Sequence, residues 1–112
     1  MKPVSFSAEA LAEIRSTRAW YEERSLEAAS HFVDAIDEAV ERIGGRPRSF
    51  VRVPLPGYDA ELRRARLRSF PYSLVFLERR RSITIIAIAH DKRRPLYWLA
   101  RIRELGGKTE RD

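Results

Sequence analysis

The chain has 112 residues, 44% of them apolar, with no Cys and a net charge of +6. That length suits one domain whose single core lies between two packed layers. The missing Cys excludes a disulfide framework and thiolate chemistry, and no apolar run approaches the roughly 20 residues that span a bilayer.

The N-terminal MKPVSF lacks the apolar stretch of a signal peptide, so a soluble cytoplasmic protein is expected. Residues 3–7 alternate weakly and suit a short strand. Ser7 then has the character of an N-cap, with Glu9 placed to favour the helix dipole. Leu11, Ile14, Arg18 and Tyr21 fall on one face of a first helix that ends near Arg24, with Trp20 beside them. Ser25 can cap a second helix directly. There Ala29, Phe32, Val33, Ile36, Val40 and Ile43 recur at three- and four-residue steps. Gly44-Gly45 and Pro47 terminate it. A link this short makes an antiparallel αα-hairpin. The outer face of the second helix carries Asp34, Asp37, Glu38 and Glu41, which read as a solvated acidic face because no His or Cys completes a ligand set.

Residues 46–60 contain three prolines and Gly57 and read as a loop, with a brief extended piece at Phe50-Val51-Arg52-Val53. Three apolar segments follow. Ala65 and Leu67 alternate with Arg64, Arg66 and Arg68; Tyr72, Leu74 and Phe76 alternate with Ser73, Val75 and Leu77; residues 83–89 are β-branched and nearly continuous. Short breaks between them imply an antiparallel meander. A last short helix is expected over residues 97–105, and residues 106–112 are expected to be a flexible tail outside a single domain of residues 1–105. The fold class is therefore α+β: a short N-terminal strand and an αα-hairpin packed on a mainly antiparallel sheet, with a three-strand C-terminal meander.

Charge is segregated along this order. Residues 1–60 carry 8 Lys and Arg against 10 Asp and Glu, whereas residues 61–103 carry 12 against 3. An anionic partner of the second half is implied, either nucleic acid or an acidic protein segment. Arg64, Arg66 and Arg68 share one strand face at a spacing of about 6–7 Å, which suits phosphates or partner carboxylates as well as a solvated sheet face. Arg63 points to the other face and is expected to pair with an acid of the helices. His90 has a pKa range that suits proton transfer and also the habit of a structural hydrogen-bonding residue. Lys92, Arg93 and Arg94 can stabilise a developing negative charge. Tyr97 and Trp98 can stack on bases or pack the last helix against the sheet. Motifs for nucleotide phosphates or zinc are absent from the sequence, and no cofactor is expected.

These residues resemble the RelE/ParE toxin superfamily of type II toxin–antitoxin modules. The resemblance runs through Trp20-Tyr21-Glu22, Phe32 and Ile36, then Arg63-Arg64 before Phe70-Pro71-Tyr72. It continues through Ala87-Ile88-Ala89-His90, Arg94-Pro95, Tyr97-Trp98 and Arg101. It implies a cognate antitoxin that wraps and neutralises the toxin. In the RelE-like branch, which cleaves mRNA on the ribosome without a metal, the resemblance would assign phosphate contacts to Arg64 and Arg66, the loop cation to Lys92 and the terminal aromatic to Tyr97 or Trp98. His90 or Tyr97 would move protons in an attack of the ribose 2′-OH on the adjacent phosphate. That branch has an arginine where this chain has Ser73. The FPY segment and the HDKRRP ending are more similar to the ParE-like branch, associated with inhibition of DNA gyrase. The reading favoured from the sequence is a ParE-like inhibitory toxin, with Arg64, Arg66, Arg68, Lys92, Arg93, Arg94 and Trp98 as its target- or antitoxin-binding residues. An RNA endonuclease and a nonenzymatic nucleic-acid-binding module are its rivals. Both long helices are acidic outside, unlike a recognition helix, which weighs against the second rival.

Overall fold

A computed structural model describes residues 1–55, 57 and 61–104, with residues 103 and 104 described by backbone alone. The expected tail, residues 106–112, lies outside the described residues. Five strands form one mixed sheet. β1 (Val4–Phe6) lies parallel to β5 (Ile83–His90); then β4 (Tyr72–Glu78), β3 (Leu62–Arg66) and β2 (Val51–Val53) follow antiparallel, in the order β1-β5-β4-β3-β2. The α+β architecture read from the sequence holds. β2 is the brief extended piece before the meander, and it forms one edge of the sheet.

The helices start where their caps put them. Ser7 Oγ accepts from the Ala10 N–H at 3.1 Å to open α1 (Ala8–Glu22), and Ser25 Oγ accepts from the Ala28 N–H at 3.1 Å to open α2 (Leu26–Gly45). Each cap satisfies one of the orphan amides of a helix N-terminus. α2 includes both glycines of the Gly44-Gly45 pair, and Pro47 starts a single 3₁₀ turn (Pro47–Ser49).

The sheet is covered on both faces, unequally. On the hairpin side, Phe32, Ile36 and Ile43 of α2 and Ala10 of α1 meet Ala65, Leu74, Phe76 and Ile83. Tyr21, Phe32, Phe70 and Tyr72 form a ring cluster with centroids 5.3–5.9 Å apart. Burying each large side chain there is worth about 1.5–3 kcal/mol, and the edge-on ring pairs add to it. On the opposite side a smaller cluster of Leu62, Val75, Leu77 and Ile86 takes Trp98 and Ile102, which α3 (Leu99–Glu104) brings back onto the sheet.

β5 is irregular. Phe76 pairs with Ile85 but Val75 pairs with Ala87, so Ile86 is an inserted residue. Such a bulge reverses the alternation of faces beyond it. Ile83 and Ile85 pack toward the hairpin and so does Ile88, whereas Ile86 and Ala87 join the opposite cluster.

Two expectations about arginines change. Arg63 does face the hairpin side, 8% exposed, but its partners are the Glu61 carboxylate at 2.6 Å and the Phe50 carbonyl at 2.9 Å rather than a helix acid. Glu61 is two residues away on the same chain segment, closer than any helix carboxylate. Arg68 leaves the row begun by Arg64 and Arg66. It lies beyond the end of β3, and its guanidinium reaches Glu38 of α2 at 3.6 Å.

Candidate functional site

The face away from the hairpin holds a cleft of about 600 Å³ between β2 and the segment 91–98. Its floor is made of small side chains, Ser73 and Val75 of β4 and Ala89 of β5, with His90 at its border. Its rim is cationic. Arg52, Arg64, Arg66, Arg93 and Arg94 line it against one acid, Asp91. Strand register fixes the rim: Arg64 lies between Val51 and Val75, and Arg66 lies beside Ser73.

The arginines differ in what holds them. Arg66 Nη1 pairs with Asp91 Oδ2 at 2.5 Å, across from β3 to the end of β5. Its backbone carbonyl accepts from Arg42 of α2 at 3.1 Å. Arg93 stacks over the Tyr97 ring with its guanidinium carbon 3.8 Å from the centroid. Arg52, Arg64 and Arg94 have no carboxylate partner among the described residues. A concave surface with several uncompensated cations and an apolar floor suits an anionic ligand that also buries apolar groups.

The far wall of the cleft is held by a set of side chains that close the open edge of β5. β1 pairs with Ile83, Thr84 and Ile85, so past that point β5 has no neighbouring strand on this side among the described residues. Three of its backbone groups find side chains instead. The Ile86 carbonyl accepts from Arg101 Nη1 at 2.8 Å, the Ile88 N–H donates to Glu13 Oε1 at 2.9 Å, and the Ile88 carbonyl accepts weakly from the Tyr97 hydroxyl at 3.3 Å. Glu13 also accepts from the Tyr97 hydroxyl at 2.7 Å and from both terminal nitrogens of Arg101 at 3.0 Å. Burial pushes the Glu13 carboxyl up. The bonds from Arg101, Ile88 and Tyr97 outweigh it and hold the carboxyl below its ordinary value. Burial and the bond to Glu13 drive the Tyr97 hydroxyl far above the ordinary tyrosine range, so it stays protonated.

The residues singled out in the sequence do not share one placement. Arg64, Arg66, Arg93 and Arg94 come together at the cleft. Lys92 is exposed in the segment after β5. Trp98 is 4% exposed, packed against the sheet with Leu62 and Val75 at the margin of the cleft, so the packing role holds. Tyr97 lines the cleft with its ring while its hydroxyl is committed to Glu13. His90 pairs with Tyr72 across the strands and meets that ring edge-on at 5.0 Å. Its Nδ1 accepts from the Lys92 N–H at 3.0 Å. Without the Ile86 bulge, alternation from Ile83 would have put His90 on the cleft face.

Glu13 escaped the sequence reading. A carboxylate one residue before Ile14, on the inward side of α1, was a signal that it is not simply solvated. Its partner Arg101 is 88 residues away, and nothing local links the two.

Comparison with known proteins agrees with this architecture. The family model described as ParE toxin of type II toxin-antitoxin system, parDE, matches residues 4–95. No curated protein matches the chain in sequence. A solved structure titled "Chromosomal ParDE TA system from P. aeruginosa" is similar with a TM-score of 0.66 at 22% identity, over 80% of this chain and 96% of that one. At that identity the likeness concerns the fold. No helix among the described residues is long and apolar enough to cross a membrane. With the family match running from β1 to Pro95, the chain belongs to the ParE toxin family of type II toxin–antitoxin systems.

Proposed function

We propose that this ParE-family protein arrests bacterial growth from within the cytoplasm by binding DNA gyrase, and that a cognate antitoxin neutralises it by laying an acidic segment along the arginine-lined cleft. The observation that carries this reading is that both groups RNA cleavage would need for proton transfer are already engaged. A general base must come within hydrogen-bond reach of the proton it takes. The Tyr97 hydroxyl instead donates to Glu13, and His90 is turned edge-on to Tyr72 with Nδ1 already accepting a hydrogen bond. Ser73, with its short side chain 6% exposed, stands where the cleaving branch of the superfamily has an arginine. What remains at the cleft is charge and apolar floor, the makings of a binding surface.

The experiment is induction of the protein alone, with gyrase and message integrity followed together. Growth arrest, relief of that arrest by the neighbouring reading frame, inhibition of supercoiling by purified gyrase and intact messages are the expected outcomes. Codon-positioned cuts in translated messages, mapped by primer extension, would replace this reading with the ribosome-associated endonuclease. One observation favours that second reading: Arg64, Arg66, His90 and Tyr97 all border the same cleft. It is outweighed by the engagement of both proton-transfer groups elsewhere.

A further inference from the structure

We infer that Glu13 is the positioning residue of the cleft: by holding Tyr97 and Arg101 against the open edge of β5, it sets where Arg93 and Arg94 stand, and so sets the cationic wall that receives an acidic protein segment. The inference rests on the binding-surface reading of the cleft, and it assigns a role to a residue that lies on the other helix layer and does not line the cleft.

The argument begins with the chain leaving β5. After His90 it must turn back to bring α3 onto the sheet, and the segment 91–98 is the turn. It contains Leu96 in the left-handed region, with φ 62°, a conformation that crowds the Cβ of a non-glycine residue. A residue stays there only when its surroundings over-determine it. Immediately after Leu96 come the fixed points: the Tyr97 hydroxyl on Glu13, the Trp98 ring in the apolar cluster, and Arg101 bidentate on Glu13. Glu13 is the single group that ties two of these three to α1, and it also receives the Ile88 N–H. Arg93 in turn rests on the Tyr97 ring, which the hydroxyl bond orients. Thus Glu13 orients Tyr97, Tyr97 supports Arg93, and the adjacent Arg94 faces the cleft. If Glu13 is lost, the Ile88 N–H loses its side-chain acceptor, Tyr97 and Arg101 keep only backbone carbonyls of β5, and the segment has no further hydrogen bond to α1 among the described residues.

The test separates positioning from simple stability. Wild type, Glu13→Gln, Arg93→Ala/Arg94→Ala and the triple variant are titrated with a 20-residue polyglutamate probe at low salt. Amide exchange of Ile88 and of the segment 91–98 is measured in parallel. Glu13→Gln should weaken probe binding about threefold to tenfold, as loss of a few oriented cations would. It should speed exchange in the segment while α2 stays protected. In the Arg93→Ala/Arg94→Ala background, Glu13→Gln should have no further effect on binding, because the residues act in one chain. Additive losses would overturn the inference and leave Glu13 a purely structural residue. So would an equal loss of binding in Ile43→Val, a core variant that leaves the network intact. If Glu13→Gln does not fold, Tyr97→Phe keeps the ring under Arg93 and removes only the hydroxyl, and the same non-additivity is required of it. Polyglutamate binding does not depend on gyrase. Failure of the wild type to inhibit gyrase would therefore overturn the target proposal and leave this result standing, whereas wild type that inhibits gyrase with additive variants overturns only the inference.

Discussion

On the hairpin side of the sheet, Phe32, Ile36 and Ile43 close over Leu74, Phe76 and Ile83 in one buried apolar cluster. On the other side, Val75 and Ala89 floor an open cleft, and only its far end is closed, by Trp98 and Ile102. The same strands build both faces, so the contrast comes from what covers them. Two long amphipathic helices cover the first. One short helix and an arginine-bearing segment partly cover the second. A face sealed by apolar burial supplies stability, and a face left open and cationic is available for a partner. The two should respond to mutation in opposite ways.

The largest effect should come from the sealed face. Phe32→Ala removes a fully buried ring that contacts Tyr21, Phe70 and Tyr72. We expect a loss of about 3–5 kcal/mol in urea unfolding. A loss under about 1 kcal/mol would mean that the ring cluster is not the centre of the core.

Next in size is the network that joins α1, β5 and α3. Arg101→Ala leaves the Glu13 carboxylate and the Ile86 carbonyl short of donors, and should cost about 1–3 kcal/mol. The pH dependence follows from the lowered Glu13 pKa. Its unfolded value is the higher one, so the stability it contributes is fully present above the ordinary value of 4.5 and is lost as pH falls through the lower folded value. The advantage of wild type over Glu13→Gln in chemical unfolding should therefore be constant from neutral pH down to about the ordinary value of 4.5, then shrink as pH falls toward the lower folded value. An advantage that grows with acidity would show the sign to be wrong.

The smallest effects on stability belong to the open face. Arg64 is exposed and without a carboxylate partner among the described residues, so Arg64→Ala should stay within about 0.5 kcal/mol of wild type. Arg66 gives up its exposed pair with Asp91, worth about 0–1 kcal/mol. Function should show the reverse. Arg64→Glu with Arg66→Glu should slow association of the antitoxin about tenfold or more at low salt, and much less at high salt, in stopped-flow measurements. An unchanged rate would remove the cleft from the antitoxin contact and sharpen the question of what faces it.

The helix hairpin and the meander were legible in the amino-acid order because their signals are local. Ser7 and Ser25 cap within three residues, the α2 stripe repeats every three or four, and the apolar runs of β4 and β5 announce strands buried on both faces. The segregation of charge, which places a cationic surface in the second half, was equally plain. The details of the site were settled only in three dimensions. One inserted residue, Ile86, turns His90 toward Tyr72, although alternation alone would have aimed it at the cleft. Arg68 finds Glu38 on a helix that the sequence presents 30 residues earlier. Trp98 fills the apolar cluster of Leu62, Val75 and Ile86, and Glu13 meets Arg101 across 88 residues because β1 stops short and leaves the edge of β5 to be satisfied by side chains. Periodicity and capping act between neighbours in the chain. Register, edges and ion pairs depend on which surfaces packing has already brought together.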